Sequence, residues 1–258
     1  MRVVPNILYE DNHVLVAVKP AGLLTQGDIS GGPSLLEILK DHIKLRDNKP
    51  GNVYLGMVQR LDRPVSGVIV FAKTSKAAGR LSSQIRNQQI SKLYAAVTCA
   101  GDPAGVMGDQ WDEVASHLLR VRDKTIVVPT PSKHSQHALL RMKTLGENKQ
   151  NCFHLIDLVT GRKHQIRSQL AHLGFAVSGD EKYGSQQSYP VKDGIGLHAV
   201  CSVFEHPVKR ERMVITAPVP GGFSTYFSDA EMEPIRSALV SEIKRFGTDQ
   251  SLPGSLVG

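Results

Sequence analysis

Strand-length segments outnumber helical ones along this chain, and the two types are not interleaved one for one. Apolar or alternating runs at 7–10, 13–18, 68–72, 92–98, 125–129, 136–145, 152–159, 197–204 and 213–217 read as strands. Helical spacing appears from Ser75, where Ala77, Ala78, Leu81 and Ile85 share a face, at 160–174, and at 229–246, where Ile235, Leu239 and Ile243 recur along one side. A parallel βαβ fold needs a helix after nearly every strand. The observed order instead predicts an α+β fold, a central, largely antiparallel mixed sheet flanked by helices and loops. Within 92–98 the alternation puts Leu93, Ala95 and Val97 on one side and Tyr94, Ala96 and Thr98 on the other.

No repeat, low-complexity block or linker divides the chain. At 258 residues, 41% of them hydrophobic, it can bury one large core. A single domain over 1–258 is expected, with 219–258 as a C-terminal extension that carries a helix and frays at 251–258. The glycine-rich stretch at 27–34 lacks the Gly-Lys-Ser/Thr spacing of a phosphate-binding loop and reads as a connector.

Thirty-one Lys and Arg against twenty-four Asp and Glu give a net charge of +7, which suits a polyanionic partner such as nucleic acid as well as it suits a merely soluble basic protein. The three cysteines stand far apart in apolar runs, without a CxxC pair or an even count, so buried thiols in a reducing compartment are expected. The N-terminus has no signal pattern, and no run reaches the roughly eighteen apolar residues of a membrane span. The cytoplasm is the expected location and a monomer the expected state.

Two segments could carry chemistry. In VQRLDRPVSG, residues 58–67, Asp62 lies between Arg60 and Arg63. Arg63 precedes a proline and is driven toward extended backbone, Pro64 donates no hydrogen bond, and Ser66-Gly67 lead straight into an apolar strand. Asp62 therefore sits on a stiff loop anchored by the core, a good way to aim a side chain. A carboxylate there can be a nucleophile, a base or an ion-pair partner, and its own neighbours alone favour the ion pair. In TGRKHQIRSQLAHLG, residues 160–174, Ile166, Leu170 and Leu173 form an apolar stripe, while Lys163, His164 and Arg167 cluster beside it, with Arg162 just ahead. Arg167 borders the apolar stripe, so it should be partly desolvated and in need of an anion.

Together these segments resemble the RluA-type family of pseudouridine synthases, whose signatures are an H-R-L-D-x-x-x-S-G loop and a G-R-x-H-Q-I-R helix ending near G-D-x-x-Y-G. ILYEDNHVLVAVKPAGL at 7–23 and LHA at 197–199 are similar to that family as well, so the resemblance runs over about 7–218. It implies the pseudouridine synthase fold and a cofactor-free, metal-free isomerisation of uridine in ribosomal or transfer RNA. The residue matching Asp62 attacks a flipped-out uridine, and the residue matching Arg167 pairs with that aspartate. Tyr94 matches the tyrosine that stacks on the base and can help remove its proton. Arg60 matches a residue that fills the gap left in the RNA, and Leu197 matches an apolar wall of the uracil pocket. Such a site needs an anion, a flat surface and cations for the phosphates, and Arg162, Lys163 and His164 add candidates for RNA contact.

The match has departures. Gln59 stands where the family usually has histidine, and Ser168-Gln169 replaces an apolar-His pair. Relatives often carry a small RNA-binding domain ahead of the catalytic one, and KPAG at residue 19 leaves no room for it here, so target recognition is expected from the catalytic domain itself. That compact form and the Arg-Pro of RLDRPVSG are similar to some transfer-RNA members. Two other readings stand beside this one. A catalytically silent RNA-binding protein on the same scaffold would lack the aspartate, which is present. A metal-dependent hydrolase would use some of the ten histidines, but there is no HExxH and no Cys-His ligand set.

Overall fold

The computed structural model describes residues 5–28, 31–99 and 110–248. In chain order the elements are β1 (Asn6–Glu10), β2 (Val14–Lys19), α1 (Leu35–Arg46), β3 (Gly56–Met57), β4 (Ser66–Ala72), α2 (Ser75–Arg86), β5 (Ser91–Cys99), β6 (Asp112–Val121) and β7 (Lys124–Val128). Then follow β8 (Gln136–Glu147), β9 (Asn151–Asp157), α3 (Gln165–His172), β10 (Leu197–Glu205), β11 (Arg212–Thr216) and α4 (Asp229–Thr248), with short 3-10 turns at Glu181–Tyr183 and Gly221–Thr225.

The strands form one sheet in the order β1-β2-β4-β10-β5-β9-β8-β6-β7, with β11 beside β10 and β3 beside β4. Every pairing is antiparallel except β4 with β10. The α+β expectation therefore holds, and the nine expected strands appear with ends shifted by a residue or two. The alternation in β5 is also as expected. Tyr94 and Ala96 enter a core with Ile69, Ile156 and Leu170 on one face. On the other face Leu93, Ala95 and Val97 meet Phe153, Phe223 and the α4 residues Met232, Ile235 and Leu239.

Three expectations need correction. The stretch at 27–34 is not only a connector, because its last residue, Ser34, caps α1: Ser34 and Glu37 make a reciprocal capping box, and Leu35, Leu39 and Ile43 turn inward. The helix expected over 160–174 is shorter and lacks a separate cationic face, since Gln165 to Leu170 are all buried. Cys152 and Cys201 are buried free thiols, but Cys99 is only half-buried. The tail at 251–258 lies outside the described residues.

The crossing of β4 and β10 creates the tightest backbone approach at the site. Gly67 has φ +126°, and a Cβ there would stand 2.3 Å from the Ala199 carbonyl oxygen and 2.4 Å from its nitrogen. Backbone strain and overlap act together, so Gly67→Ala is expected to lower unfolding stability by about 3 kcal/mol or more. A denaturant midpoint within error of the parent would contradict this.

Candidate active site

The parallel pairing of β4 with β10 and the antiparallel pairing of β10 with β5 set three side chains around one cavity. Ser66 and Gly67 pair with His198 and Ala199, and Ala199 pairs with Tyr94. The loop before β4, the first residue of β10 and the middle of β5 thus converge: Asp62, Leu197 and Tyr94 line a cavity of about 480 Å³. Arg60, Arg162, His164 and Arg167 close its sides, and Gln59 also reaches it. Lys163 does not line it; it is exposed beside the α3 entrance.

Each residue from Leu61 to Ser66 is fastened. Thr25 Oγ1 donates to the Leu61 carbonyl and accepts from the Leu61 amide. The Val65 amide donates to the Asp62 carbonyl, the Gly22 amide to the Arg63 carbonyl and the Ile195 amide to the Pro64 carbonyl. Ser66 Oγ meets His198 Nδ1 at 2.8 Å. Lys19, fully buried, spends its three protons on the Pro20, Leu23 and Arg63 carbonyls. Burial pulls its pKa down to about 7, against the opposing charge of Asp62. KPAG thus does more than close a hairpin, since its lysine ties the first turn to the Asp62 loop.

Asp62 is bound to neither flanking arginine. Arg63 Nε donates to the Gly22 carbonyl, and the carboxylate's ion-pair partners among the described residues are Arg167 and His164. Arg167 Nη1 donates to Asp62 Oδ2 at 3.1 Å, and His164 Nε2 stands 3.6 Å from the same oxygen. Oδ1 accepts no hydrogen bond among the described residues, and the Asp62 side chain is partly exposed. The local ion-pair reading of RLDR is therefore replaced by a distant one.

Arg167 is 5% exposed and answers its need for an anion twice. Nε and Nη2 fork onto Asp180 at 2.6 and 2.8 Å, and the guanidinium lies 4.9 Å from the Tyr183 ring centre. Burial works against its charge, but the hydrogen bonds and charge of Asp180, then of Asp62, outweigh it and push the pKa up. Asp180 and Tyr183 belong to the GDEKYG run, yet no role for them was evident in the sequence. The available signal was a carboxylate a few turns beyond an arginine that needed one.

Tyr94 is 7% exposed at the cavity floor. Burial first, and the Asp62 charge second, push its pKa up, so it remains a phenol. The departures at 168 and 169 are structural: Ser168 Oγ donates to the Gln165 carbonyl, and Gln169 Nε2 donates to the Val114 carbonyl and Ser116 Oγ, holding β6 to α3. Among the described residues no group of three or more His, Cys, Asp or Glu could hold a metal ion, so the ligand set of a hydrolase is not found there. No described helix is long and apolar enough to cross a membrane.

Comparison with known proteins gives a consistent family. The model described as RNA pseudouridylate synthase matches residues 13–172. Ribosomal large subunit pseudouridine synthase C of Buchnera aphidicola subsp. Baizongia pistaciae is 32% identical over 228 residues, covering 85% of this chain and 68% of that protein. The tRNA pseudouridine synthase C of Yersinia pestis is 32% identical over 227 residues, covering 82% and 85%. Among solved structures, Human RNA Pseudouridylate Synthase Domain Containing 4 superposes with a TM-score of 0.67 at 22% identity, covering 90% of this chain and 93% of that one, which speaks for the fold.

Proposed function

This chain belongs to the RNA pseudouridylate synthase family, and from that premise we propose that it isomerises specific uridines of ribosomal or transfer RNA with Asp62 as the attacking anion. The observation that carries this is the one-sided grip on the carboxylate. Arg167 holds Oδ2, Oδ1 accepts no hydrogen bond among the described residues, and Asp62 lines the same cavity as Tyr94 and Leu197.

A base in a stack hides the atoms that must react, so the uridine has to swing out into the cavity. Tyr94 offers a flat surface for the uracil and Leu197 an apolar one. Asp62 forms a bond to the nucleotide, the N1–C1′ bond breaks, the uracil turns, C5 bonds to C1′, and the bond to Asp62 breaks to return the carboxylate. The C5 proton then leaves and N1 gains one, so the balance closes without a cofactor. Tyr94 is a poor base while Asp62 is charged. Tyr94 lines the same cavity and is placed to take part in removal of the C5 proton. Arg60 is exposed at the cavity mouth, placed to enter the gap the base leaves. Residues 1–258 are read as one catalytic unit, with α4 closing the far face of the sheet, and as a cytoplasmic monomer.

The choice between ribosomal and transfer RNA is decided by comparing pseudouridine maps of total RNA from cells with and without the gene. The expected result is one or a few sites lost with the gene and restored by the parent protein. Maps that do not differ would overturn the proposal. Lys163, exposed and outside the cavity, is cast as a phosphate contact. Lys163→Ala is expected to weaken RNA binding and to flatten the slope of log affinity against log salt by about 0.7–0.9. An unchanged slope would remove it from the RNA footprint.

A further inference from the structure

His164 is a strained residue beside the proposed nucleophile. It enters α3 with φ 54°, in the left-handed region, and makes no capping bond there. A non-glycine residue held so at a site calls for a reason. Its two ring nitrogens face different partners. Nδ1 is 2.8 Å from the Tyr183 hydroxyl, and Nε2 is 3.6 Å from Asp62 Oδ2. The Tyr183 oxygen also accepts the Thr125 backbone amide at 2.9 Å.

That second bond favours one direction for the first, in which the Tyr183 hydroxyl donates. With a lone pair given to Thr125, Tyr183 has its own proton to place, and His164 Nδ1 is the acceptor within reach. Nδ1 then carries no proton, and the neutral ring bears it on Nε2, toward Asp62. Burial keeps the imidazole neutral against the pull of Asp62, helped by the positive charges of Arg167, Lys163 and Lys182. Lys182 is itself paired with Asp123.

Resting on the reading of Asp62 as nucleophile, we propose that Thr125, Tyr183 and His164 form a positioning relay that presents an Nε2 proton to Asp62 Oδ2 and so keeps Oδ1 as the attacking oxygen. At 3.6 Å the last contact is longer than a hydrogen bond, and it is expected to shorten when RNA fills the cavity. The relay also links β7, which supplies Thr125, to the reacting carboxylate. His164 is thereby a positioning residue instead of the RNA contact its place in a basic run suggested.

The test is tritium release from C5-tritiated uridine in RNA taken from cells lacking the gene. His164→Asn tolerates the left-handed backbone but is too short to reach Asp62, whereas His164→Gln can deliver an N–H without a ring to orient. His164→Asn is expected to lower kcat about 10- to 100-fold with KM within about twofold, and His164→Gln to recover most of that loss. Tyr183→Phe should lower kcat and move the acid limb of its pH profile upward, because a freed Nδ1 can take a proton and set an imidazolium against Asp62. In His164→Gln that limb should not move when Tyr183 is also changed to Phe. Equal kcat for the Asn and Gln variants, a loss confined to KM, or a Tyr183→Phe profile like the parent's would each overturn the relay. Asp62→Ala separates the two proposals. If it is inactive while these variants keep the parent kcat, only the relay fails; if it stays active, the nucleophile itself is wrong.

Discussion

Asp62→Ala is expected to drop pseudouridine formation by more than about ten-thousand-fold while leaving RNA affinity equal or slightly tighter. A nucleophile that forms a covalent bond has no substitute in its site, and loss of such a group in other covalent enzymes costs this much or more. Folding should be spared. The Asp62 side chain is about a quarter exposed, and Arg167 keeps its two bonds to Asp180 when Asp62 is gone. Removing a negative charge from a pocket meant for RNA cannot weaken phosphate binding. Single-turnover conversion with enzyme in excess, alongside a filter-binding titration, measures both quantities. Turnover within tenfold of the parent would discard Asp62 as nucleophile, and parallel loss of affinity would show that the variant damages the pocket itself. Asp62→Asn sharpens the result: it preserves shape and still accepts from Arg167, so its inactivity would belong to the lost anion.

Much of this arrangement was legible in the chain, and the exceptions have physical reasons. The loop 58–67 could be read because its rigidity is local: Pro64 and the apolar run behind it constrain the same few residues that carry Asp62. Strand faces in β5 were legible for the same reason, since period-two alternation needs no knowledge of partners. The capping box of α1 is also present in SLLE, but the glycine-rich stretch ahead of it carries the composition of a loop. β6 offered little, because only Leu118 of its ten residues is buried. Arg167 was correctly placed beside the apolar stripe. Its main partner was not legible, because Asp180 reaches it only after the chain leaves α3 and bends at Gly174 and Gly179, with φ 86° and 82°. The bonds from Lys19 to Arg63 and from Thr125 to Tyr183 join residues far apart in the chain, and nothing in either segment names the other.

Arg167 should prove structural and catalytic at once, and the two parts can be separated. Arg167→Met leaves Asp180, 2% exposed, with its charge buried and its fork of donors gone. Breaking a buried pair from one side costs about 3–5 kcal/mol, which for a chain of this size lowers the melting temperature by about 6–20 °C. Arg167→Lys keeps the charge but cannot span two carboxylates with a rigid fork, so it should lose less stability and still lose about 100-fold in kcat. The decisive variant is Arg167→Met with Asp180→Asn. Neutralising the stranded carboxylate should return most of the lost melting temperature, a coupling expected of residues in direct contact. It should not return activity, because Asp62 Oδ2 still lacks its 3.1 Å donor. A double variant as unstable as Arg167→Met would mean that packing, not the orphaned charge, sets the cost. One that regained turnover would mean that Asp62 does not need Arg167 to attack.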